Sequence, residues 1–221
     1  LSQGAYTKVA WVKRATGVNH NNIISGNTGH VLFASSNYGY KLSAGHNGAW
    51  GTVQDTEALA IGEWNFVAVT YDPDVASGTM KLYKNGNQID IATSVPIQQE
   101  STTTYVGRYG SSSNYWIGSI DETAIWNEAL TGAEITALYN YGEPLSASSN
   151  SGNYTSSTNL KGYWRFAENS GTTGYDLSGY GNHGTINGAT YYSQGADNAL
   201  NPVTISGDDG FRMMSSPVAG Q

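Results

Sequence analysis

Residues 62–90 read "GEWNFVAVTYDPDVASGTMKLYKNGNQID". The first eleven, 62–72, are strongly β-branched and aromatic, the composition of a strand that packs on a pleated, half-buried surface. The last thirteen, 78–90, carry a hairpin signal. Asn85-Gly86 supplies the two positive-φ residues that a type I′ turn demands, set between "MKLYK" and "NQID". Two strands and a tight turn inside one short window point to antiparallel β structure.

Working outward, the same signals recur. "AYTKVAWVK" (5–13) alternates, with Thr7, Val9 and Trp11 on one face and Lys8 and Ala10 on the other. "NIISG" and "HVLFASS" follow as short strands broken by Asn-Gly-type turns, and "TTTYVGRYG" and "YWIGSIDETAIWN" continue the meander. Strand-sized segments every ten residues or so predict a two-sheet antiparallel sandwich. One helix interrupts it at 130–142, "LTGAEITALYNYG", where Thr131 and Glu134 form a capping box, Leu130 and Ile135 can staple its start, and Gly142 stands at the C′ position. Ile135, Leu138 and Tyr139 share a face, which places the helix as a plug at one end of the sandwich. Residues 143–159 read as a Ser/Asn-rich linker or surface loop, 160–200 as a second block of strands, and 201–221 as a C-terminal tail.

Composition narrows the function. Only 12% of the 221 residues are charged, so solubility rests on Ser, Thr, Asn and Tyr rather than on salt-bridged helices. The net charge of −7 argues against nucleic acid or an anionic membrane surface as partner. The absence of cysteine removes disulfides, thiol catalysis and thiolate zinc sites. No apolar run approaches the length of a membrane span, so no membrane insertion is expected. The first residues lack a basic n-region, and the chain is read as processed or as cut from something longer. The Lys-poor, Asn/Gly/Tyr-rich composition suggests a bacterial protein that is secreted or displayed at the cell surface.

Several spaced motifs then occur in order: "GEWNFVAVTYD", "GTMKLYKNGNQI", "TYVGRYG" and "YWIGSIDETAIWNEALTGAEITALYNYG". Together they resemble the bacterial laminin-G-like (LamG, concanavalin A-like) family over residues 5–142. "LKGYWRFAENSGTTGYDLSGYGNHGTINGATY" resembles a second hallmark block of such proteins. The resemblance implies an all-β jelly roll, an extracellular setting, frequent calcium binding and a non-catalytic binding role. The block order departs from many relatives, in which the second block comes first. Here it either folds back to complete the sandwich or begins a neighbouring unit.

Candidate chemistry is limited. Glucanases of this fold use carboxylates in an "E-x-D-x-x-E" run, which does not occur, and strand alternation puts Asp121 and Glu122 on opposite faces. His20, His30, His46 and His183 have no catalytic partner at motif spacing, and no enzyme is expected. The loop "DLSGYGNHG" (176–184) offers Asp176 and Asn182 as hard oxygen donors, with Gly179, Gly181 and Gly184 freeing backbone carbonyls for a calcium ion. The plainer alternative is a turn in which Asp176 accepts only backbone N–H groups. The resemblance adds Asp121 to the calcium set, and Asp72 is a further candidate unless it only caps its own loop. Loop aromatics able to stack on sugar rings are Tyr38, Tyr40, Trp50, Tyr109 and Tyr115, with Asn37, Asn47 and Asn114 near them in sequence. The expected partner is a glycan or a surface protein. A structural role, with copies pairing strands into a fibre, is the second reading, and polysaccharide degradation the third.

Overall fold

The structure is a computed structural model that describes residues 3–17, 21–27, 29–110, 114–191, 196 and 203–205. The chain opens with β1 (Tyr6–Arg14), then β2 (Asn22–Gly26), β3 (His30–Phe33), β4 (Lys41–His46) and β5 (Ala49–Ala58). Next come β6 (Trp64–Asp72), β7 (Thr79–Lys84), β8 (Asn87–Thr93), the short β9 (Thr104–Val106) and the long β10 (Gly118–Trp126). Helix α1 (Gly132–Tyr139) follows, and then β11 (Leu160–Trp164), β12 (Thr173–Gly174), β13 (Gly184–Thr185), β14 (Thr190–Tyr191) and β15 (Val203–Ile205).

These strands form an eight-stranded sheet ordered β14-β15-β10-β1-β6-β7-β8, with β11 also on β10, and a five-stranded sheet ordered β5-β4-β3-β2-β9. A two-stranded ribbon joins β12 to β13. All the pairings are antiparallel, as a sandwich built from hairpins and meanders requires. The hairpin between β7 and β8 closes Lys84 on Asn87, with φ of 50° at Asn85 and 79° at Gly86. The turn is the one its sequence demands.

The larger sheet is covered on both faces. Ala10, Val12, Val67, Val69 and Leu82 meet Ile24, Leu32, Ala44 and Val53 of the smaller sheet in the main core. Val9, Trp11, Phe66, Ala68 and Trp126 point the other way and are covered by Leu130, Ile135 and Leu138 of the α1 region. The helix therefore lies on the outer face of the larger sheet and does not plug an end. Its capping box is present, but it ends in Asn140 at φ 45°, two residues before Gly142. Asn tolerates the left-handed conformation well enough to end a helix there.

Two segments that the sequence leaves open pack against the sandwich. Residues 143–159 are a packed loop: Tyr154 is fully buried and accepts a hydrogen bond from Trp126 Nε1 (3.0 Å), while Glu134 accepts from Thr155 and Ser156. The later block does fold back, since β11 pairs antiparallel with β10 from Thr123↔Trp164 to Trp126↔Leu160. Of the tail at 201–221, only the backbone strand 203–205 lies among the described residues.

β10 also carries an extra residue. Val9 and Trp11 of β1 face Ala124 and Asp121, so two steps on β1 oppose three on β10. Glu122, inside this bulge, has φ 47°, which breaks the strand alternation assumed from sequence. It accepts from Tyr163 Oη and from Arg165 Nε (2.8 Å) at the point where the neighbour of β10 changes from β15 to β11.

Candidate functional site

Val31 and Phe33 flank Leu32 on β3. Leu32 enters the main core, so its two neighbours face outward from the smaller sheet. With Asn22 of β2 and Ser35, each under 6% exposed, they floor a cavity of about 300 Å³. Its walls are Asn37, Tyr38, Trp50, Tyr109 and Asn114. Phe33 meets Tyr38 edge-on at 5.1 Å between centroids, and Trp50 meets Tyr109 edge-on at 5.8 Å.

Local chemistry fixes each wall. Ser35 caps a single 3₁₀ turn, Ser36–Tyr38: its hydroxyl accepts from the Asn37 amide (3.1 Å), and its carbonyl from the amides of Tyr38 (3.0 Å) and Tyr40 (2.8 Å). Tyr38 lies close over β5 because residue 51 has no side chain. A Cβ on Gly51 would stand 2.8 Å from the Tyr38 ring. Ser25 Oγ donates to the Arg108 carbonyl (2.6 Å) and the Gly107 amide to the Ile23 carbonyl (2.8 Å), which pins the segment bearing Tyr109 to β2. Asn22 Nδ2 donates to the Asn114 carbonyl (3.4 Å).

Three of the five aromatic candidates therefore converge, with Asn37 and Asn114. The other two serve cations of the chain itself. Tyr40 lies under the Arg14 guanidinium at 4.5 Å and donates to the Gly17 carbonyl, and Tyr115 lies 5.6 Å from the Arg108 guanidinium. Asn47 clamps the backbone of Ile97 and Gln99. The floor lies mostly on strands, where rings on loops give no sign of it. The signal for it was "HVLFASS", apolar on both alternating faces and hence covered on both.

The four metal candidates are not brought together. Asp176 uses both oxygens to accept from the amides of Tyr163, Ser178 and Asn182 and from Ser178 Oγ, all at 2.8–2.9 Å. Asn182 Nδ2 donates to the Lys161 carbonyl (2.8 Å), and the Asn182 carbonyl accepts from Trp164 Nε1 (2.9 Å). Asp121 is fully buried on β10, accepting from the Glu122 and Ala196 amides; it opposes Trp11 of β1 while Ala124, the partner of Tyr163, opposes Val9, about 7 Å away along the strand. Asp72 caps its own loop by accepting from the Asp74 amide (3.0 Å), and Tyr71 and Asp121 oppose residues of β1 that are about 17 Å apart. A calcium ion needs six to eight inward oxygens. Here Asp176 is ringed by N–H and O–H donors, whose positive ends repel a cation. Among the described residues no group of three or more His, Asp or Glu could hold a metal. These residues do not fit calcium.

The loop is shaped instead around the outer edge of β11. Tyr163 gives its amide to Asp176 and its carbonyl to the Leu177 amide (2.8 Å), so both of its outward backbone groups are satisfied. Asp176→Ala should cost about 1–3 kcal/mol through the orphaned amides. Melting curves with added calcium and with chelator should coincide. A melting temperature several degrees lower in chelator would restore the ion.

The sequence pattern of the Laminin_G_3 family, in the concanavalin A-like lectin/glucanases superfamily, matches residues 1–136. The chain belongs to that family. A "putative carbohydrate binding protein" from Bacteroides ovatus ATCC 8483 shares the fold, with TM-score 0.62 and 17% identity over 98% of this chain and 55% of that one. This chain thus spans about half the length of that protein. A heptameric SAP-like pentraxin from Limulus polyphemus (17% identity, TM-score 0.48) aligns with 62% of this chain over 71% of its own. Domain 4 of AbnA, a GH43 extracellular arabinanase from Geobacillus stearothermophilus solved with arabinotriose, aligns at 22% identity and TM-score 0.48 over 62% of this chain and 66% of its own. No curated protein matches the chain.

Proposed function

We propose that the chain is a glycan-binding module, secreted or displayed at the cell surface, that holds its ligand without cleaving it. The observation that carries this reading is the cavity on the outer face of the smaller sheet, where Tyr38, Trp50 and Tyr109 stand over a floor bearing Asn22 and Ser35. Sugars present apolar C–H faces that stack on rings and hydroxyls that pair with amides. A ligand site of this kind combines mostly apolar walls with a few fixed polar groups. Among the described residues that line it none is a carboxylate, whereas most glycoside hydrolysis uses a facing pair of them. The description of the Bacteroides ovatus protein is in keeping with a binding role.

Trp50 is only half-buried, so its loss should barely disturb the fold. Trp50→Ala should weaken glycan binding by about tenfold or more, equivalent to about 1.4 kcal/mol of stacking. Its melting temperature should stay close to that of the parent. The measurement is calorimetric titration with ligands chosen from a glycan array. Binding that survives Trp50→Ala unchanged, or an array without a single ligand, would overturn the reading.

A further inference from the structure

We infer that the cavity takes one or two neutral sugar rings and discriminates against uronic and sialic acids, an inference that rests on the glycan-binding reading above. Among the described residues the lining contains four aromatic rings, one valine, three asparagines and a serine, and no charge of either sign. Asn22 and Ser35 are 5% and 2% exposed, so a ligand reaching them leaves bulk water behind. A hydroxyl can exchange its water for an amide there at little cost. A carboxylate would lose its hydration with no cation to replace it, a far larger penalty.

The cations on neighbouring segments do not relieve that penalty. Arg14 donates to the Leu59 carbonyl (2.8 Å) and covers Tyr40, while Arg108 lies 5.6 Å from the rings of both Tyr105 and Tyr115. Neither lines the cavity. The net charge of −7 adds a weaker, longer-ranged bias against anions. Size sets the other limit: about 300 Å³ is the lower end of the roughly 300–1,000 Å³ typical of ligand sites.

The test is calorimetric titration of the full chain with neutral disaccharides, such as lactose, cellobiose, xylobiose and mannobiose, and with sialyllactose and digalacturonate. At least one neutral disaccharide should bind, through Trp50, and the acidic sugars should bind about tenfold more weakly or worse. Asn37→Lys, which places a cation on the exposed rim, should narrow that gap. Acidic sugars that bind as well as neutral ones, and lose their binding in Trp50→Ala, would overturn the discrimination and leave the glycan reading standing. Binding that ignores Trp50→Ala, or no binding across the panel, would overturn both.

Discussion

A chain ending at Asn159 should not fold cooperatively. β11 is one of two neighbours on that side of β10, and it contributes to both layers of the core at once. Trp164 enters the core between the sheets, whereas Leu160 and Tyr163 enter the outer layer beneath α1. All three are 1–2% exposed. Removing one large buried side chain typically costs about 3–5 kcal/mol, and the whole stability of a domain is about 5–15 kcal/mol. Truncation also takes Phe166 and Ile186 from the main core and leaves β10 from Thr123 to Trp126 without the strand that pairs with it there. Point variants give the graded form of the result. Trp164→Ala should cost about 3–5 kcal/mol in chemical denaturation. Gly162→Ala should cost a comparable amount, because its Cβ would stand 2.1 Å from the Trp164 ring, too close for the indole to stay. A truncated chain that remains monomeric with an unchanged melting temperature would make the last block an appendage.

That block is also where the sequence was least legible. The hairpin at Asn85-Gly86 and the capping box at Thr131 and Glu134 could be read because their causes are local: a turn needs positive φ, and a helix start needs partners for its amides. Where residues 160–164 pack is decided by β10, more than thirty residues earlier in the chain, and nothing in their own pattern names that partner. The Asp176 loop failed for a related reason. Asp, Asn and Gly suit a cation shell and an Asx turn equally, and only the positions of the Tyr163, Ser178 and Asn182 amides separate the two. At the cavity, residue type identified rings free to meet a ligand but could not exclude Tyr40 and Tyr115, which have the same chemistry and stand beside arginines instead. Alternation in β1 set Lys8 opposite Val9 and Trp11. With both faces of the sheet covered, alternation could not show that either face leads to water.

The consequence at Lys8 is large. Its side chain is fully buried in the sandwich, its amine hydrogen-bonded to His30 Nδ1 and set 5.1 Å from the Tyr6 ring, and among the described residues no carboxylate pairs with it. Burial pushes the amine well below the ordinary lysine range. Burial, and then the nearby Lys8, push His30 well down, and burial lowers His46 to about 4. All three are bases whose folded affinity for protons is depressed, so the unfolded chain binds more protons between the folded and unfolded values. Stability must therefore rise with pH across that interval and fall as acid is added. The window runs down from about 10.5 for Lys8 and from about 6.5 to 4 for His46, with a slope of about 1.4 kcal/mol per pH unit for each proton taken up only on unfolding. Melting temperature should thus climb from pH 5 towards pH 9. Removing one partner is the wrong way to test the pair, since Lys8→Met leaves His30 Nδ1 buried and unpartnered at about 1–3 kcal/mol. Replacing both, Lys8→Met with His30→Leu, should stabilise the protein at pH 7 by about 1–4 kcal/mol, as when buried polar pairs elsewhere give way to apolar residues of similar volume. The same double variant should flatten the climb with pH. A wild-type melting temperature constant from pH 5 to pH 9, or a double variant that melts lower at pH 7, would show that the amine reaches a partner or water in the folded protein and is not held neutral in its core.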